Sequence, residues 1–102
     1  MDGEKVIAKL NRLLEKYESN KRAYVIVVSA IGAVESIYKA AEECRIGDVL
    51  DRVAALSRYR EYCAKYRLPG EVCTEITTAL WITKMDIPEI LQNKCGCTLR
   101  RY

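Results

Sequence analysis

The sequence contains no histidine and no phenylalanine, one tryptophan, one glutamine and two prolines among 102 residues. Without histidine there is no Ser-His-Asp triad, no Cys-His dyad, no imidazole acid/base and no His-ligated metal. The glycine-rich phosphate loops and the G-x-S-x-G nucleophile elbow are missing as well. No apolar run approaches the ~18 residues of a bilayer-spanning helix, so no membrane partner is expected. The opening MDGEKVIAKL lacks a signal peptide's basic-then-apolar layout, which places the chain in the cytoplasm.

What is present is the balance of a globular protein: half the residues are apolar, 30% are charged, and the formal net charge is +3. The length suits a single domain over 1–102. Amides are scarce, with asparagine only at Asn11, Asn20 and Asn93, while Lys and Arg together number 17. That bias is a hyperthermophile tendency, and hyperthermophilic archaea and bacteria keep disulfides inside the cell.

Five cysteines therefore matter. Cys63 falls in the last turn of one expected helix and Cys73 in the first turn of the next, with Leu68-Pro69-Gly70 turning between them. A Cys63–Cys73 disulfide is the expectation; the alternative is two buried thiols acting as small hydrophobes. Cys95-Gly96-Cys97 has no second knuckle and no histidine to complete a zinc site, and it is not the C-x-x-C of a redox helix. The expected role is structural: the C-terminal segment pinned to the body, with Cys44 as the partner. No metal and no cofactor are expected.

Apolar periodicity predicts an all-α fold with four main helices plus a short fifth, arranged as two helical hairpins. Val6, Ile7, Leu10, Leu13, Leu14 and Tyr17 form one stripe, with Asp2 as N-cap and a break at Ser19-Asn20. Tyr24 to Val28 has strand propensity, but Tyr24, Val27, Ile31, Val34, Tyr38 and Ala41 continue at spacings of 3 and 4, which is helical. Gly32 with Ser29, Ala30 and Ala33 suggests a neighbouring helix passing close by. Asp48 reads as the N-cap of a third helix carrying Val49, Leu50, Val53, Leu56, Tyr59, Cys63 and Tyr66. Glu71 to Lys84 is expected as a fourth helix, although TEITTALWIT would also suit a strand. Asp86-Ile87-Pro88-Glu89 has the marks of a new start, with Asp86 as N-cap and Pro88 in the tolerant first turn of a fifth helix ending near Gly96.

A shift of 46 residues aligns Ile7 to Glu15 with Val53 to Glu61, and four of the nine pairs are identical. A weak internal repeat of two hairpins would account for this, with a groove between them as the natural binding site. The layout is similar in architecture to tetratricopeptide-like and other α-solenoid proteins, but the residues that define those repeats are absent.

Charge is uneven: residues 1–51 carry 8 basic and 9 acidic side chains, and residues 52–102 carry 9 and 5. In the second half Arg58, Arg60, Lys65 and Arg67 interleave with Tyr59, Tyr62 and Tyr66. Helical spacing turns Arg58, Tyr62 and Lys65 outward, and Tyr59, Cys63 and Tyr66 inward. Trp81 is core if buried; exposed beside Met85, it would anchor a protein contact.

The expected function is that of a small non-catalytic interaction module. It would bind a protein or peptide partner, or itself as a homodimer, through the groove between hairpins or an aromatic patch. The alternative is an accessory nucleic-acid-binding protein using Arg58, Arg60, Tyr62, Lys65 and Arg67, extended by Arg100 and Arg101. No enzymatic activity is expected: Glu35, Glu42, Glu43, Asp48 and Asp51 are spaced as caps and solvated faces.

Overall fold

The computed structural model describes residues 2–96, all of its regular structure helical. The four helices are α1 (Asp2–Lys16), α2 (Lys21–Glu42), α3 (Ile46–Lys65) and α4 (Gly70–Cys95). The expected fifth helix does not exist. α4 runs without interruption through Asp86 and Pro88. Proline at that place removes one donor and leaves the Lys84 carbonyl without its helical partner. Burial on both sides outweighs that loss, because Leu80 and Thr83 before Pro88 and Ile87 and Leu91 around it all face the core. Asp86 is accordingly no cap. Its carboxylate accepts the Tyr38 hydroxyl at 2.6 Å.

The other boundaries have local causes. Asn20 caps α2, its side-chain oxygen accepting the Ala23 N–H at 3.2 Å. α3 starts at Ile46, earlier than expected, with Arg45 in the N-cap position. Asp48 is thus a first-turn residue, and its carboxylate pairs with Arg45. Both α2 and α3 end in a Schellman arrangement. Arg45 N–H reaches the Ala40 carbonyl at 2.8 Å and Leu68 N–H the Cys63 carbonyl at 3.0 Å. The left-handed position usually given to glycine is held by Cys44 (φ 60°) and Arg67 (φ 51°). α4 ends on Gly96 at φ 63°, whose N–H bonds the Leu91 carbonyl.

Contacts at the helix ends give the directions. Lys16, closing α1, meets Glu71 at the start of α4, and Cys63 near the end of α3 meets Cys73 in the same turn of α4. At the opposite end of the molecule Cys44, just after α2, meets Cys95, the last residue of α4. α1 and α3 therefore run one way, α2 and α4 the other. α2 and α4 pack against each other and against both flanking helices, whereas α1 and α3 do not touch. The section is a flattened diamond with α2 and α4 on its short diagonal.

One apolar core joins all four helices, from Val6, Leu10 and Leu13 through Val27, Val34 and Ile37 to Val49, Leu56, Ile76, Ile87 and Leu91. α2 contributes ten buried residues. By length and composition this helix is apolar enough to cross a membrane, contrary to the expectation from run length alone. Three residues expected on the apolar stripes lie outside the core: Tyr66 is 45% exposed, Leu50 42%, and Tyr24 is also exposed; Trp81, left open between core and contact, is 62% exposed. Gly32 receives no neighbouring helix: a Cβ there would meet nothing within 4 Å, while Ala30 and Ala33 are the small residues that do pack inside.

Candidate interaction surfaces

Two surfaces stand out, and each follows from how its helix is seated. On α4 the stripe of Val72, Ile76, Ala79, Leu80 and Thr83 turns inward. Trp81 and Met85, one helical turn apart, are left on the outer side, with Met85 72% exposed. They are the pair expected to anchor a contact if exposed.

The second surface lies where the start of α2 meets the end of α3. Lys21, Arg22, Val25, Ile26, Tyr66 and Leu68 line an open groove of about 390 Å³ there. Tyr66, expected to point inward, caps α3 and is exposed. Its ring stands 6.0 Å from that of Tyr62. The Arg22 guanidinium lies 5.2 Å from the Tyr66 ring centre and the Lys65 ammonium 5.6 Å, both within cation–π range. Val25 and Val28 continue the apolar surface along α2, both exposed.

The basic residues singled out from sequence are only partly gathered. Tyr62 and Lys65 adjoin Tyr66, and Arg67 follows it in the chain. Arg58 and Arg60 are exposed but two positions apart, so they point to different sides of α3. Arg100, Arg101 and Cys97 lie outside the described residues. Sequence reasoning gave no part to Lys21 and Arg22. The signal was available: two cations and no acid in the first turn of a helix, against the sense of its dipole.

Elsewhere charged groups pair with one another at the helix ends. Glu71 accepts from Lys16 at 2.6 Å and from the Tyr17 hydroxyl at 2.9 Å. Those bonds hold its carboxyl below the usual range, and the same contact raises both Lys16 and Tyr17. Arg45 bridges Glu43 and Asp48, which raises its own pKa. Both expected cysteine pairs are at disulfide distance, with Cα–Cα separations of 5.7 Å for Cys44–Cys95 and 5.5 Å for Cys63–Cys73. Among the described residues no group of three His, Cys, Asp or Glu side chains comes together to hold a metal. Compared with known proteins, the chain matches no family model, no curated protein and no solved structure.

Proposed function

We propose that this protein is a non-catalytic interaction module that docks a protein or peptide partner, or a second copy of itself, through the outer face of α4. The observation that carries the reading is the exposure of Trp81 (62%) and Met85 (72%) one turn apart. A buried tryptophan is among the strongest contributors to protein interfaces, and methionine is enriched in them. The architecture suits the role, because α4 is fastened near both ends by disulfide-distance pairs and presents its outer face on a rigid element.

We also read the chain as two hairpins, α1–α2 and α3–α4, related by the 46-residue repeat. What supports this is that the aligned segments lie in α1 and α3, the two helices that flank the α2–α4 centre without touching each other.

Trp81 is the sole tryptophan, so its emission reports the contact directly. The test is sedimentation of the protein over a dilution series, alone and with partners captured on it, while Trp81 emission is followed. Association should shift the emission to the blue, and Trp81→Ala with Met85→Ala should abolish it. Association that survives the double substitution sinks the reading.

Nucleic acid is the second reading, favoured by the tyrosine–cation group of Arg22, Tyr62, Lys65 and Tyr66. Oligonucleotide anisotropy across a salt series tests it. A contact through phosphates weakens as salt rises, with a slope that counts them.

A further inference from the structure

The groove between α2 and α3 has an uncompensated charge. Lys16 and Arg45 are each paired with carboxylates, but Lys21, Arg22, Lys65 and Arg67 make no ion pair among the described residues. No acidic side chain lines the groove; of the nearest in sequence, Glu18 and Glu71, neither is among the lining residues, and Glu71 is held by Lys16 and Tyr17. The first turn of α2 adds the positive end of its dipole to Lys21 and Arg22, an arrangement that costs stability unless an anion is present. Beneath these cations the floor is aliphatic: Val25, Ile26 and Leu68, walled by the Tyr66 ring. Val25 is 59% exposed, so part of that floor meets water in the free protein.

We propose that this groove docks an acidic peptide segment, which seats an aliphatic side chain among Val25, Ile26, Tyr66 and Leu68 and sets its carboxylates against Lys21 and Arg22. Charge complementarity selects the acidic flanks. The aliphatic floor selects a branched side chain over a nucleobase, which would find one ring to stack on and that ring already faced by Arg22 and Lys65. Anchoring apolar side chains in a groove while polar flanks fix orientation is a general mode of peptide capture. The proposal rests on reading the chain as an interaction module but uses none of the residues on α4, so either can fail alone.

The test is fluorescence anisotropy of the full chain with a fluorescein-labelled hexapeptide, two leucines flanked on each side by two glutamates. Saturable binding with a dissociation constant below ~1 mM is expected. Arg22→Glu and Val25→Asp should each weaken it ~10-fold or more. Both positions are exposed, so the variants should retain their helical circular dichroism. Trp81→Ala should leave peptide binding unchanged, whatever it does to contacts through α4. Absence of saturable binding overturns the proposal, as does equal binding of a peptide with lysine for glutamate or serine for leucine. Tighter binding of an oligothymidylate of equal charge, or of phosphatidylserine vesicles, lost in the same variants, would assign the groove to nucleic acid or lipid and overturn it too.

Discussion

The Tyr38 hydroxyl donates to the Asp86 carboxylate at 2.6 Å, joining α2 to α4 across 48 positions of sequence. The bond sits just ahead of Pro88, where α4 has lost a backbone hydrogen bond, and ties the weakened turn to the centre of the fold. Tyr38→Phe keeps the ring and removes the bond. It should lower the unfolding free energy by about 1 kcal/mol, because a half-buried carboxylate deprived of this donor can still be hydrated. Urea denaturation checks this, and a cycle with Asp86→Asn separates the pair from its surroundings.

The same ring fixes the sign of a second substitution. Gly3 lies in the first turn of α1, where alanine would ordinarily favour the helix. A Cβ there would stand 2.7 Å from the Tyr38 ring, which is buried and held by Asp86. Gly3→Ala should therefore destabilise, by about 1–2 kcal/mol. In the Tyr38→Ala background it should become neutral or stabilising, and thermal melts of the two pairs decide.

Arg67 occupies the left-handed position that ends α3, at φ 51°. Arg67→Gly should relieve that strain and stabilise the fold by up to ~1 kcal/mol, net of the entropy glycine loses. Chemical denaturation measures it. A loss of stability would mean that the arginine side chain makes a contribution larger than its backbone strain.

The Glu71 contact makes stability depend on pH at both extremes. Its carboxyl titrates below the ordinary 4.5, held down by bonds from Lys16 and Tyr17. The contribution is complete above the unfolded-state value and is lost as pH falls through the lower folded one. Lys16 is raised above 10.5 and Tyr17 above 10.0, so their share is complete below those values and lost as pH rises through the raised folded ones. Glu71→Gln should narrow the difference between neutral and acid melting temperatures relative to the unsubstituted protein. An unchanged acid profile would show the contact to be inconsequential on this exposed surface.

The two cysteine pairs should open in a fixed order under mild reductant. Cys44 is exposed, whereas Cys63 is 1% exposed beneath the α3–α4 junction. Timed alkylation with peptide mapping should show Cys44 and Cys95 labelled first. Opening that pair should also cost more stability: in the chain-entropy model a separation of 51 residues contributes ~4 kcal/mol and one of 10 somewhat under ~3 kcal/mol.

The helical class, the stripe on α1 and the Cys63–Cys73 pair could all be read from periodicity and spacing, because each depends on neighbours along one helix or across one tight turn. Where α4 ends its first half could not. Asp86-Ile87-Pro88-Glu89 satisfies every local rule for a new helix, and only the burial of Ile87 and Leu91 by other helices keeps the old one going. Trp81 stayed open between core and contact for a different reason. Residue type argued for the core, but its position next to Leu80 and two before Thr83 already set it off the apolar stripe. Tyr66 fits the stripe of α3 by spacing, but as the residue capping the helix it is 45% exposed, with its ring 6.0 Å from that of Tyr62. The groove was hidden because its halves, Arg22 to Ile26 and Tyr66 to Leu68, are forty residues apart in sequence.

α4 is fastened at Cys73 in its first turn and at Cys95 in its last. A helix ordinarily frays from its termini, and amide hydrogens exchange fastest there. Pinned at both ends, α4 can open only from within, and its interior holds one place already short of a hydrogen bond, the turn at Pro88. Exchange along this helix should thus show a local maximum in the turn before Pro88, about two-thirds of the way from Gly70 to Cys95, a feature that α1, with no internal proline, should lack.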